Sequence, residues 1–209
     1  MNDPKDAVRR GYDSIAERYN AWADSFETPE REWVEKLLAR LPPGATVLDL
    51  GCGGGRHAAQ ALAAVARYTG VDISRAQLRL ARSRIPDGTF IEADATRVVF
   101  PPSSFDAVVS LFVFGHVPRS EQEPLLRQVA RWLRPGGWFL GTLGTANAED
   151  VFEEDWLGTP MFFASFDEAE NERMLERAGL TVAEARVVPF DEPGHGLVRF
   201  MWVLATRAG

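Results

Sequence analysis

Cysteine is almost missing from this 209-residue chain. Cys52 stands alone, so no internal disulfide can form, and a reducing compartment, the cytoplasm, is the expected setting. Long apolar runs are missing as well. The longest uncharged one, AVVSLFVFG at 107–115, has nine residues, whereas a membrane-spanning helix needs about 20. No membrane partner is therefore expected. The opening MNDPKDAVRRGYD has no apolar stretch of the kind a secretory signal carries. Nor is there an excess of positive charge. Lys and Arg number 23 against 30 Asp and Glu, for a net charge of −7. Nucleic-acid-binding domains usually show a basic footprint, so no nucleic-acid partner is expected. There is no repeat or low-complexity linker. With 45% hydrophobic and 25% charged residues, the composition is that of one ordinary globular domain, a monomer or homodimer.

What is present divides into four parts. Residues 1–41 read as an N-terminal helical lid of two helices, DPKDAVRRGYDSIAERYNAWAD and TPEREWVEKLLARL. In the second, Thr28 is placed to cap, Pro29 fits the first helical position and Pro42, Pro43 and Gly44 end it. Residues 45–144 alternate short apolar runs with amphipathic stretches. The runs are TVLDL (46–50), YTGVDI (68–73), TFIEAD (89–94), FDAVVSL (105–111) and GWFLGTL (137–143). Helices are expected near 55–66, 74–84 and 120–133, the last opening with a Ser120–Glu123 capping box. This alternation implies βαβ units and a parallel sheet covered by helices on both faces. Residues 145–166 read as a long structureless insertion, a common place for a functional lid. Residues 167–209 read as a helix at 167–180 and two strands, 181–190 and 197–206. The six residues DEPGHG (191–196) between those strands permit an antiparallel hairpin but no crossover. The acidic charge lies toward the C-terminal end: residues 149–209 hold 13 acidic and 5 basic side chains.

The residues that point to chemistry start at VLDLGCGGGRHA (47–58). A strand runs into Asp49, then into Gly51, Gly53, Gly54 and Gly55, then into a helix. Glycines allow a sharp turn and close approach to a ligand, and the helix start presents unpaired N–H groups. Asp72 ends the next strand in GVDIS, where a carboxylate can accept hydrogen bonds from both ribose hydroxyls of a nucleoside. Asp94 in EADAT ends the third strand beside the same crevice. Gly53, Gly55 and Ala58 also satisfy GxGxxA, which admits an NAD-type oxidoreductase. Against it, Asp49 would repel a diphosphate near the turn, and the C-terminal hairpin replaces the second half a dinucleotide needs. A non-catalytic cofactor-binding scaffold is the remaining alternative.

In order and spacing, VLDLGCGGG, GVDIS, EADAT, FDAVVSL and LRPGGWFLGT (133–142) resemble the motifs of class I S-adenosylmethionine-dependent methyltransferases. The resemblance implies an α/β fold: a Rossmann-like seven-stranded, mostly parallel sheet with its last strand antiparallel. It implies S-adenosylmethionine as cofactor and S-adenosylhomocysteine as product. It also implies roles. Asp49 would orient the loop and the methionine ammonium. Gly51, Cys52 and Gly53 form the loop, its glycines lining the methionine portion. Asp72 would hold the ribose, with Ile73 against the adenine and Asp94 and Ala95 at the adenine edge. Ser110 and Leu111 would flank the donor methyl group. YDSIAERY (12–19) is similar to the N-terminal lid segment of small-molecule members, with Tyr12 and Tyr19 closing over the cofactor. The Asn/Asp-Pro-Pro-aromatic tetrad of many nucleic-acid and protein N-methylators is replaced by SLFVFGHVP (110–118). The chain thus resembles the small-molecule branch, acting on an O or N acceptor.

His116, just past the fourth strand, is the candidate acid–base residue, since an imidazole titrates near neutral pH. Its alternative is a packing role in the loop. His57 and His195 read as structural. Phe152, Trp156, Phe162, Phe163 and Phe166 read either as a small core of the insertion or as the wall of an acceptor pocket. No metal site is read.

Overall fold

A computed structural model of the protein describes residues 3–208. Two helices come first, α1 (Pro4–Ala23) and α2 (Glu30–Leu38). The alternating region follows: β1 (Thr46–Leu50), α3 (His57–Ala63), β2 (Arg67–Asp72), α4 (Arg75–Arg84), β3 (Thr89–Glu92), β4 (Phe105–Ser110), a 3-10 turn at Phe114–His116, α5 (Arg119–Trp132) and β5 (Leu133–Gly144). The chain ends with β6 (Val151–Trp156), β7 (Thr159–Phe163), α6 (Glu168–Arg177), β8 (Leu180–Glu192) and β9 (Gly196–Arg207).

Seven strands form one sheet in the order β3-β2-β1-β4-β5-β9-β8. The first five are parallel, and β9 lies antiparallel between β5 and β8. The expected seven-stranded sheet with a terminal antiparallel hairpin is what folds. Period-two alternation in β1 explains the layering. Val47 faces one core with Trp33, Leu37, Leu62 and Leu78, from α2, α3 and α4. Leu48 and Leu50 face the other with Leu125, Val129 and Leu175, from α5 and α6. Every one of these side chains is buried, so β1 has helices on both sides, as a central parallel strand requires. The strand order reverses at β1, where chain connections leave in opposite directions. A crevice opens there at the carboxyl ends of β1 and β4.

Four expectations change. The insertion is not structureless: β6 and β7 form a separate antiparallel two-stranded sheet. It buries Trp156, Met161 and Phe162 against Val8 and Ile15 of α1, and this tertiary burial holds a segment whose own sequence is acidic. The Ser120–Glu123 capping box does not form. Pro118 occupies the cap position with no side-chain bond, and the Glu123 carboxylate instead accepts from Arg127 and Arg177, which are stronger charge-assisted partners. Helix α2 starts at Glu30 and stops at Leu38, before the prolines; Pro29 is its cap residue and Thr28 Oγ1 accepts from the Glu30 N–H at 3.4 Å. The terminal hairpin has a three-residue connection, 193–195, because both strands extend toward each other.

Candidate active site

The glycine loop is folded onto β2. The Gly51 and Cys52 N–H groups both donate to the Val71 carbonyl, at 2.7 and 3.0 Å. Gly51 has φ +68°, and a Cβ there would lie 2.2 Å from Val113 Cγ2, so no side chain is compatible with the turn. Asp49 lies beneath the loop, where it accepts the Tyr68 hydroxyl at 2.7 Å. Burial pushes its carboxyl up to about 7. Cys52 is buried, and its Sγ would meet a Cβ on Gly70 at 2.7 Å; burial pushes its thiol well up, which disfavours a nucleophilic thiolate.

At the end of β2, both Asp72 oxygens accept backbone N–H groups, Oδ2 from Gly53 and Oδ1 from Ser74, each at 2.8 Å. Burial raises this carboxyl to about 6 against the pull of those bonds. The carboxylate is thereby fixed in place beside the loop.

Two cavities meet at this end of the sheet. The smaller, a slot of about 90 Å³, is lined by Gly51, Gly53, Asp72, Ile73, Asp94, Ala95 and Leu111 together with Lys5, Gln77 and Val113. The larger, about 1290 Å³, lies under the β6–β7 hairpin, the β8–β9 tip and the C-terminal half of α1. Tyr12, Tyr19, Phe112 and His116 line both. They are the wall between the two spaces. Phe112 is held there in the left-handed region at φ +61°, a strained position for an aromatic residue, with its N–H donating to Thr142 Oγ1 at 2.6 Å.

Ten of the thirteen residues named from sequence, counting His116, border the slot or the wall. Asp49, Cys52 and Ser110 border neither cavity. Asp49 is buried beneath the loop, Cys52 is buried within it, and the Ser110 hydroxyl is buried without a hydrogen-bond partner among the described residues. His57, at the start of α3, and His195, in the terminal turn, both line the larger cavity. The insertion aromatics divide. Trp156 and Phe163 line the larger cavity, Phe162 is fully buried, and Phe152 is exposed.

His116 has one tautomer in this geometry. Its Nδ1 lies 2.9 Å from the Phe162 carbonyl. A carbonyl only accepts, so Nδ1 carries the proton. Nε2 is then the acceptor, and the Tyr12 hydroxyl donates to it at 2.8 Å. Burial lowers the imidazolium's stability and holds His116 at about 4; the ring is neutral at pH 7.

Sequence reasoning missed Lys5 and Gln77. Lys5 is buried, and its Nζ bonds Asp94 at 2.8 Å, Glu121 at 2.6 Å and Thr96 Oγ1 at 2.9 Å. Burial pulls this ammonium down, yet the two carboxylates outweigh it and the net shift is upward. Gln77 accepts from Asn20 through Oε1 at 2.8 Å, while its Nε2 is buried with no partner. Neither residue carries a motif; only their tertiary neighbours distinguish them. Helix α1 is joined to the slot's rim by further polar bonds, Asp13 accepting from Ser74 Oγ at 2.7 Å and the Ala76 N–H at 3.0 Å. Among the described residues no group of three or more His, Cys, Asp or Glu could hold a metal, and no helix is long and apolar enough to cross a membrane.

Residues 47–137 match a family model described as a methyltransferase domain. That match, the relatives below and the order of the sheet support a class I S-adenosylmethionine-dependent methyltransferase. The matched span contains the loop, Asp72, Asp94 and His116, and stops before the roof of the larger cavity. A methyltransferase acting on 27-O-demethylrifamycin SV from Amycolatopsis mediterranei is 33% identical over 152 residues, covering 62% of this chain and 55% of its own. A tRNA (carboxymethyluridine(34)-5-O)-methyltransferase from Arabidopsis thaliana is 27% identical, covering 74% of this chain and 39% of its own. The chain thus spans about half the length of the curated relatives it matches. Among solved structures, the methyltransferase fold recurs in the Burkholderia thailandensis 1,6-didemethyltoxoflavin-N1-methyltransferase, bound to 1,6-didemethyltoxoflavin and S-adenosylhomocysteine. It has a TM-score of 0.73 and 21% identity, covering 100% of this chain and 92% of that one.

Proposed function

We propose that this methyltransferase moves the methyl group of S-adenosylmethionine to an oxygen or nitrogen of a small-molecule acceptor, leaving S-adenosylhomocysteine. One observation carries the reading: a slot that holds the Asp72 carboxylate and a large aromatic-roofed cavity share a wall, Tyr12, Tyr19, Phe112 and His116, at the carboxyl end of the sheet. Two substrates that exchange one small group need two adjoining sites.

The slot's residues fit the cofactor. Asp72 presents a fixed, buried carboxylate suited to vicinal hydroxyls. Gly53 leaves open space where a Cβ would stand, with nothing nearer than Gln77 Oε1 at 4.0 Å. The unpartnered Gln77 amide offers a donor. When bound, the sulfonium cofactor supplies an already activated methyl carbon. The chain's own work is then positioning, which contributes about 7–11 kcal/mol in well-aligned cases. His116, neutral and with its proton fixed on Nδ1, can accept an acceptor's proton at Nε2 once the Tyr12 hydroxyl yields that nitrogen. A slot of 90 Å³ is well below the roughly 300 Å³ at which ligand pockets begin. Admission of a nucleoside therefore requires α1, which carries Tyr12 and Tyr19, to shift, and residues 1–41 act as a lid. The acceptor is a small molecule and not a nucleic acid, in keeping with the net charge of −7 and the aromatic, carboxylate-lined larger cavity, and the protein works in the cytoplasm.

Calorimetric titration of S-adenosylhomocysteine against Asp72→Ala tests the assignment. Charge-assisted bonds to two ribose hydroxyls are worth about 1.5–3 kcal/mol each, so affinity falls by at least about tenfold, and Asp72→Asn loses less. Unchanged affinity in the alanine variant would remove the cofactor from this slot.

A further inference from the structure

The larger cavity is unusually negative for an aromatic pocket. Seven carboxylates and three guanidiniums line it, and one of those guanidiniums, Arg56, is committed to Asp24 at 2.8 Å. Glu192 differs from the other carboxylates. It is half-buried at the end of β8, and its side chain makes no hydrogen bond or ion pair among the described residues. Burial, reinforced by Glu153 across the cavity, pushes its carboxyl up to about 7. A carboxylate half removed from water beside a second carboxylate and with no cation of its own is disfavoured, and a positive charge placed there would relieve it.

The surroundings of Glu192 suit a cation on a flat apolar body. The next residue, Pro193, accepts the Trp22 indole N–H at 2.9 Å, which latches the hairpin tip to α1. The Trp22 and Trp156 rings lie 5.8 Å apart, and His195 is 6.1 Å from each. Aromatic faces attract cations through their quadrupole. Trp156 also touches Tyr12 and His116, at 5.8 and 6.2 Å, so one indole links the Glu192 end of the cavity to the shared wall. Arg31 and Arg199 line the same space but are exposed.

We propose that the acceptor is an amine, cationic in solution and built on a planar apolar body, and that Glu192 is the residue that selects it by pairing with its ammonium beneath the Trp22–Trp156 roof. This rests on the methyl-transfer reading of the adjoining wall and adds the substrate class to it.

The test is calorimetric titration with a graded series of aryl-alkyl amines, starting from tryptamine, each paired with its isosteric alcohol, starting from tryptophol. Wild type, Glu192→Gln and Glu153→Gln are compared, with and without saturating S-adenosylhomocysteine. The amine should bind about ten- to a hundredfold tighter than its alcohol, the range a charge-assisted bond gives. Glu192→Gln should abolish the difference, and Glu153→Gln should narrow it. Equal binding of amines and alcohols, binding of no amine in the series, or a preference that survives in Glu192→Gln overturns the proposal. Circular dichroism of each variant separates loss of selectivity from loss of fold; should Glu192→Gln not fold, Glu192→Asp, with its carboxylate drawn back, takes its place and must weaken the preference. Absence of S-adenosylhomocysteine binding with amine selectivity intact would strike the cofactor assignment instead.

Discussion

Tyr12→Phe probes the shared wall by removing one oxygen atom. The phenyl ring keeps its packing against Tyr19, His116 and Trp156, with centroids at 5.0, 5.3 and 5.8 Å. Only the hydroxyl that donates to His116 Nε2 at 2.8 Å is lost. A polar atom left without a partner costs about 1–3 kcal/mol. Nε2 borders a cavity that water can fill, so the loss in folding stability should lie near the lower end, about 1 kcal/mol. The titration of His116 is the sharper readout. Its folded value, about 4, lies below the ordinary 6.5. As pH falls, the unfolded chain therefore takes up this proton first. Stability present above pH 6.5 is lost down to about pH 4, by about 3 kcal/mol at most. Asp49 and Asp72, raised to about 7 and about 6, act with the opposite sign below neutrality. The histidine's share is thus read as the difference from His116→Asn across a pH series of urea unfolding curves. In parallel, NMR of the histidine rings should show His116 neutral down to pH 5 in the wild type and titrating at higher pH in Tyr12→Phe. A wild-type His116 that titrates near 6.5, or one whose titration ignores the substitution, refutes the hydrogen-bonded pair.

Lys5→Met strands the Asp94 and Glu121 carboxylates. Breaking a buried pair costs about 3–5 kcal/mol, and with the Glu121 side chain 36% exposed a loss of about 2–3 kcal/mol is expected in urea unfolding; a loss under about 0.5 kcal/mol would show that Lys5 does not pair with Asp94 and Glu121. At Gly11 a Cβ would lie 2.7 Å from Met161 Cε and 3.2 Å from the Pro160 carbonyl, so Gly11→Val should destabilise by about 1–3 kcal/mol and speed proteolysis within α1, whereas an unaltered cleavage pattern would mean the helix does not seat on the hairpin. Amide exchange across residues 3–25 should slow when S-adenosylhomocysteine is added; equal protection in both states would make α1 a fixed structural helix rather than a lid.

The parallel half of the sheet was legible because its strands are short apolar runs bounded by glycine and acidic turns; β1 falls on TVLDL as read. Asp72 and the glycine loop were legible for the same reason, since their roles depend on local position in a strand–turn–helix unit. The β6–β7 hairpin was not. In VFEEDW the acidic residues dominate, and the pairing is sustained by Met161 and Phe162 burying against α1, which no local pattern records. Glu192 reads as part of a turn, DEPGHG, because its meaning comes from Trp22 and Trp156 far away in the chain. The capping box failed at a competition between partners: Glu123 had two arginines within reach, and one of them, Arg177, lies on another helix.

Helix α1 precedes every other described element in the chain and meets its partners late. Its Lys5 side chain meets Thr96 and Glu121, 91 and 116 residues downstream, and Trp22 meets Pro193, 171 residues downstream. At about 5–20 residues per second, a ribosome delivers that last partner roughly 10–35 s after the helix itself has been synthesised. Until Trp156 and the hairpin tip at Pro193 and His195 have been made, Tyr12, Tyr19 and Trp22 lack part of their native cover. Once the chain is complete, α1 pairs with no strand of the main sheet, so its detachment breaks side-chain contacts and leaves the seven-stranded ladder intact. The order of assembly thus marks out in advance where the amide-exchange comparison should find opening.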